Sequence, residues 1–216
     1  MSTSVDIGIL ELLASKVCHD LISPIGAVNN GIEFLEDMGP DAGKEVTDLI
    51  AFSAGQASAK LKAYRMAYGA GGADDSIKPE EVHLAIQDIV GAEDKVTQDW
   101  DAYGDFGYGD DRPKAFCKML ICGLILAMDS MPKGGTLHVG AGKESGQTLI
   151  TANGEDASIR EQSGEALTLA MSREGLEPKY MHAYMTGLLG MAYGYSFSII
   201  NADTGSVEIT IVHPAE

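Results

Sequence analysis

Val17-Cys18-His19-Asp20-Leu21-Ile22-Ser23-Pro24 sets a histidine beside a carboxylate, about one helical turn before a proline, inside a long run with helical periodicity. At about 100° per residue, Leu10, Leu13, Val17, Leu21, Pro24, Val28 and Leu35 share one stripe, which the spacing marks for burial. His19 falls nearly opposite, among Ser15, Lys16, Ser23, Gly26 and Asn30, where small and polar side chains leave room for a partner. The pattern predicts a helix from Val5 to Met38, stopped by Gly39-Pro40. A second helix is expected from near Asp41, with Val46, Ile50, Ala57, Leu61, Tyr64 and Tyr68 on its apolar stripe and Gly69-Ala70-Gly71-Gly72 closing it. The two make an antiparallel hairpin of helices roughly 45 Å long. A lone pair of that length leaves apolar surface in water, so a second copy is expected to complete a dimeric four-helix bundle, the alternative being packing onto the remainder of the same chain.

The chemistry of the quoted stretch follows from that geometry. A solvent-facing imidazole is largely neutral near neutral pH, with one ring nitrogen free to attack a phosphoryl group. Asp20 is placed to orient or deprotonate the ring, and Pro24 removes a backbone donor in the turn after His19. The string resembles the histidine box of two-component signalling, which makes His19 the expected phosphoacceptor. Leu12, Ser15, Lys16, Ile22, Ser23, Gly26 and Asn30 flank the same face and are the expected partner-binding residues.

Composition narrows the function classes. Fifteen Lys and Arg against 32 Asp and Glu give a formal charge of −17, which repels a phosphate backbone and anionic lipid. Direct nucleic-acid binding is not expected. No apolar run approaches the ~18 residues of a membrane span, and the amino terminus lacks a basic segment followed by an apolar one. A cytoplasmic protein is the resulting expectation. Cys18, Cys117 and Cys122 are odd in number and have no CxxC spacing, so reduced thiols are expected rather than a disulfide framework or a zinc site. Cys18 and His19 point about 100° apart on a helix and make a poor thiol-protease pair. His83, His138, His182 and His213 lie in separate segments without ligand spacing, and are expected as surface or partly buried histidines. The acidic pairs Asp74-Asp75, Glu80-Glu81 and Asp110-Asp111 read as solvated loops and helix starts.

Gly69 to Ser76 is the expected linker, which divides the chain into a hairpin of residues 1–70 and a second unit of residues 71–216. In the second unit Pro79 to Val90 reads as a helix, Lys95 to Asp101 as a strand, and Tyr103 to Asp111 as a loop. Arg112 to Met131 is a strongly apolar helix. Strands are expected at Thr136 to Ala141, Thr148 to Asn153, Tyr195 to Asn201 and Val207 to Val212, with a helix from Pro178 to Ala192. The class is α+β, an antiparallel sheet backed by helices, behind a helical hairpin.

That order is similar to a histidine kinase, in which an ATP-binding domain follows the histidine hairpin. The nucleotide motifs are missing, however. Cys122 and Leu126 stand where kinases carry magnesium-binding and phosphate-binding asparagines, ahead of Met131-Pro132-Lys133-Gly134-Gly135. Ala152-Asn153-Gly154-Glu155-Asp156 puts an alanine where an aspartate grips the adenine, and Gly187-Leu188-Leu189-Gly190 sits in a helical pattern as packing positions. A hairpin with its histidine kept, joined to a degenerate kinase ATPase-like α/β sandwich, resembles the ChpT-type histidine phosphotransferases of bacterial phosphorelays. Tyr64-Arg65-Met66-Ala67-Tyr68-Gly69-Ala70 carries the resemblance as well. The resemblance implies a homodimer whose His19 takes phosphate from the receiver domain of a hybrid histidine kinase and hands it to a response regulator, binding no nucleotide or other cofactor. Magnesium is expected on the receiver instead. The competing readings are a noncatalytic dimeric adaptor that docks receivers, and an atypical kinase using unrecognised residues for ATP.

Overall fold

The computed structural model describes residues 6–39, 43–73, 75–91, 95–109 and 111–214. The helix starts expected at Val5 and Asp41, together with Pro40, Asp74 and Asp110, lie outside them.

Helix α1 runs Ile7–Met38 and passes through Pro24 without interruption. Asp6 caps it, its carboxylate accepting from the Gly8 amide at 2.9 Å, and Arg173 of the distant second unit pairs with the same carboxylate. At the other end Gly39, at φ +58°, supplies the left-handed residue that stops the helix. Helix α2 is Gly43–Tyr68. Asp20 meets Tyr64 and Gly31 packs on Ile50, so the two helices run antiparallel as the spacing predicts. A Cβ on Gly31 would lie 2.5 Å from the Ile50 side chain, so the close approach of the helices here requires glycine.

Two stripe positions differ from expectation. Leu10 is 47% exposed and Leu61 50% exposed, while Leu13, Val17, Leu21, Val28 and Leu35 are only half-buried. Ile25, Ile32, Leu49 and Phe52 are exposed as well. The apolar stripe is real, and a single hairpin does not cover it.

A 3-10 turn at Ala70–Ala73 fills the expected linker. The second unit then follows as α3 (Pro79–Val90), β1 (Val96–Gln98), α4 (Phe116–Asp129), β2 (Gly135–Ala141), β3 (Gln147–Asn153), α5 (Glu161–Leu167), α6 (Met181–Tyr193), β4 (Ser196–Asp203) and β5 (Ser206–Val212). The strands lie in the order β1-β2-β3-β5-β4. Four of them pair antiparallel, but β1 lies parallel to β2, so the sheet is mixed rather than antiparallel throughout. The parallel strand is only three residues long, shorter than the Lys95 to Asp101 strand expected. Helix α4 begins at Phe116, four residues after the expected Arg112, because Pro113 and a left-handed Ala115 precede it. Helix α5 is absent from the sequence reading, and Pro178–Tyr180 forms a 3-10 turn before α6 rather than its first turn.

Helix α4 is the centre of the core. A Cβ on Gly123 would meet Ile150 of β3 at 2.7 Å and Ile211 of β5 at 3.2 Å, so α4 lies directly on the sheet. Its opposite side faces the base of the hairpin. There the fully buried Lys118 donates from Nζ to the Gly69 carbonyl at 2.8 Å, placing a cation where the last carbonyls of α2 point. Burial lowers the pKa of this amine. The turn Pro132-Lys133-Gly134-Gly135 requires its glycine, since Gly134 has φ +88° and a Cβ there would lie 2.0 Å from the Lys95 carbonyl.

Candidate functional site

His19 stands on α1 with 85% of its side chain in water. Its Nδ1 lies 3.4 Å from Asp20 Oδ1, and among the described residues Nε2 has no partner. Asp20 is far less open, because its other oxygen is engaged: Oδ2 accepts from Lys16 Nζ at 2.5 Å, one turn earlier on α1, and from the Tyr64 hydroxyl on α2. Burial alone would raise the Asp20 pKa. The hydrogen bonds from Lys16 and Tyr64, the Lys16 charge and the contact with His19 outweigh it and hold the carboxyl below its ordinary range. Burial and the neighbouring Asp20 carboxylate raise Tyr64, so its hydroxyl stays protonated and donates.

Behind Tyr64 the contacts continue into the second unit. Tyr64 stacks on Tyr68 with ring centroids 5.5 Å apart. The Tyr68 hydroxyl bonds His182 Nδ1, and His182 Nε2 lies 2.9 Å from the Cys122 carbonyl of α4. A carbonyl only accepts, so Nε2 carries the proton, Nδ1 accepts, and the Tyr68 hydroxyl donates. His182 is 2% exposed, fully buried where a surface or partly buried histidine is expected. Loss of hydration lowers its pKa to about 4, against a smaller upward pull from the Cys122 carbonyl.

The expected partner-binding residues divide into two groups. Ser15, Ser23 and Asn30 are exposed, Ile22 is 70% exposed, and a Cβ on Gly26 would meet nothing within 4 Å. These share the face that carries His19. Leu12 does not belong with them, for it packs against the hydrophobic core. Lys16 is half-buried and tied to Asp20. The helical wheel places both correctly on α1, but α6 and the Pro178–Tyr180 turn lie against that end of the helix. A wheel drawn for one helix cannot show what another element covers.

A cavity of about 280 Å³ opens where hairpin and second unit meet, lined in part by Lys16, Asp20, Lys60, Tyr64, Asp129 and His182. Asp129 keeps surface in water at its mouth, yet crowding by protein and the charge of Asp20 raise its pKa. Positions that would serve a nucleotide are occupied by core side chains: Cys122, Leu126 and Ala152 are all buried. A Cβ on Gly187 would lie 2.2 Å from the Leu167 carbonyl, so that glycine sits in α6 as a packing residue. His83 packs edge-on against Trp100, and His213 against Tyr195. No group of three or more metal-ligating side chains occurs among the described residues, and no helix there is long and apolar enough to cross a membrane.

Tyr64, Tyr68 and His182 are the functional neighbours that the motif reading missed. For Tyr64 and Tyr68 the sequence signals are their place on the apolar stripe of α2, one turn apart, and the stretch that carries the family resemblance; His182 has none.

Residues 79–205 match the family described as histidine phosphotransferase C-terminal domain. The protein phosphotransferase ChpT of Brucella abortus (strain 2308) is 31% identical over 206 residues, covering 91% of each chain. A solved bacterial phosphotransferase superposes with a TM-score of 0.77 at 28% identity, covering 97% of this chain and 98% of that one. The Acinetobacter baumannii histidine kinase AdeS shares the fold at 13% identity, with a TM-score of 0.51 over 92% of this chain and 98% of that chain. A matched domain over more than half its length and a relative aligned over nine-tenths of it place the chain in a definite group: it belongs to the histidine phosphotransferase family, in its ChpT-type form.

Proposed function

We propose that this protein is the histidine phosphotransferase of a phosphorelay, carrying a phosphoryl group on His19 between the receiver domain of a hybrid histidine kinase and a response regulator. The observation that carries this reading is the open Nε2 of an 85% exposed imidazole whose Nδ1 faces a carboxylate. Nε2 attacks the phosphorus of the receiver's aspartyl phosphate. An N–P bond forms, the P–O bond to the aspartyl oxygen breaks, and the aspartate leaves with the electron pair. The proton on Nδ1 stays in place toward Asp20, whose negative charge offsets the positive ring of the phosphohistidine. The receiver supplies magnesium and the remaining positive charge. Ser15, Ile22, Ser23, Gly26 and Asn30 form the docking face around the nucleophile.

ATP has no part in this scheme. Buried Cys122, Leu126 and Ala152, where a kinase needs amide and carboxylate side chains, support that reading. The functional division is a hairpin of residues 1–70 for dimerisation and transfer, with residues 71–216 as a degenerate ATPase-like support. Ile25 and Ile32 lie seven residues apart on one face of α1, and with Leu49 and Phe52 of α2 they leave apolar surface for a second copy. The protein works in the cytoplasm, as a homodimer, without nucleic acid or membrane.

The test uses a prephosphorylated, radiolabelled receiver domain freed of kinase and ATP. Several receivers are mixed with wild type and with His19→Ala. Rapid, acid-labile and base-stable labelling of wild type alone is expected. Transfer from none of them, with receiver binding intact in both proteins, would replace the proposal with the adaptor reading. Labelling from ATP without any receiver would replace it with the kinase reading.

A further inference from the structure

The geometry points to Tyr64 as a positioning residue for phosphoryl transfer, its hydroxyl holding Asp20 so that one carboxylate oxygen is left for the His19 ring. This rests on the reading of His19 as phosphoacceptor and names a residue that the reading itself does not use.

Neighbouring side chains on a helix diverge by about 100°, so Asp20 has no intrinsic reason to face His19. Something must hold it. Both donors that do so converge on Oδ2: Lys16 from the preceding turn and Tyr64 from the facing helix, 44 residues away. Oδ1 is thereby turned to His19 Nδ1. Lys16 sits on a flexible stem and moves with α1, whereas Tyr64 is a rigid ring anchored elsewhere. Its plane stacks on Tyr68 at 21°, and Tyr68 is held by its bond to buried His182, which in turn donates to the α4 backbone. The orientation of an exposed imidazole is thus referred, through Asp20 and two stacked tyrosines, to the helix at the centre of the core.

The consequence is chemical. A carboxylate with two donors on one oxygen is a poor base, so Asp20 accepts the Nδ1 proton's hydrogen bond without taking the proton. That favours the Nδ1–H tautomer and leaves the lone pair on Nε2, the nitrogen open to a receiver. After transfer, the same fixed carboxylate faces the charged ring.

Tyr64→Phe removes the hydroxyl and keeps the ring on Tyr68. In single-turnover transfer from a phosphorylated receiver, the variant is expected to be slower by about three- to tenfold, the worth of one hydrogen bond. Receiver affinity is expected to stay at the wild-type value, and the thermal midpoint to fall by only about 2–4 °C for the one hydrogen bond lost, leaving the protein folded at the assay temperature. Nitrogen-15 spectra of His19 should show mainly Nδ1–H in wild type and a more even mixture of tautomers in the variant. In an Asp20→Ala background the same change should slow transfer no further, because Tyr64 acts through Asp20. Wild-type transfer rate and tautomer ratio in Tyr64→Phe would overturn the inference, as would a slowing matched by equal loss of receiver affinity or accompanied by unfolding at the assay temperature. Failure of the underlying reading looks different: His19→Ala would then still accept label, or wild type would accept none, while the spectra would still test the tie between Tyr64 and His19.

Discussion

Helices α1 and α4 are both rich in apolar residues, yet they use them in opposite ways. Only Pro24 and Gly31 are buried among the 32 residues of α1, whereas every residue of α4 from Phe116 to Ala127 is buried. In α4 the apolar side chains close a core between sheet and hairpin. In α1 the first turns pack against the core through Ile9, Leu12 and Leu13, while Ile22, Ile25, Ile32 and Phe34 stay exposed. Hydrophobic content alone therefore does not decide where a core lies; what matters is how many neighbouring elements the same chain can bring to each helix.

The contrast can be broken most severely at the hairpin. Ile32→Glu combined with Phe52→Glu puts two carboxylates into the proposed dimer face, at a cost on the order of several kcal/mol for each charge buried there. Light scattering is expected to show monomers, with the circular dichroism of each folded chain unchanged. The next largest effect belongs to the core. Leu124→Ala is expected to lower the unfolding free energy by about 2–5 kcal/mol in urea titration, since α4 is enclosed on several sides and cannot collapse around a cavity.

His182 sharpens the comparison through pH. Its pKa is about 4 in the folded protein against an ordinary value of 6.5, so the unfolded chain binds the extra proton between these limits. The stabilisation from keeping it neutral is complete above pH 6.5 and is lost as pH falls toward 4. A single group can contribute up to about 1.4 kcal/mol per pH unit in that window. His182→Gln is expected to flatten the fall in stability measured by urea titration at several pH values between these limits. The smallest effect is at Ile22, where Ile22→Ala should change stability by less than about 0.5 kcal/mol and weaken receiver binding measured by calorimetry.

How much of this could be read from the sequence depended on the range of the interactions concerned. The hairpin, α3 and four of the strands were legible because period, Gly and Pro are local signals. The exposure of His19 followed from a single helical wheel. Strand β1 was misjudged in length and pairing direction, since three residues carry little pattern and its parallel partner β2 lies beyond α4. Helix α5, Glu-Gln-Ser-Gly-Glu-Ala-Leu, is too short and polar to show a stripe. The bond from Tyr64 to Asp20 depends on hairpin register, and the burial of His182 on the docking of α6 against α4, neither of which any local window contains. Leu12 was misplaced for the same reason. The wheel of its own helix faces it outward, and it packs against a core built largely from the second unit.

Arg173 gives these distances a meaning in time. It closes the amino-terminal cap of α1 by pairing with Asp6, so this helix receives a contact from a residue synthesised 167 positions later. Both hairpin helices leave the ribosome well before Arg173, Tyr180 or His182 exist to hold them. Throughout that interval α3 and α4 are the elements of the same chain already available to pack against α2. The order of synthesis thus makes the docking of α6 and the Pro178–Tyr180 turn a late event in the completion of α1.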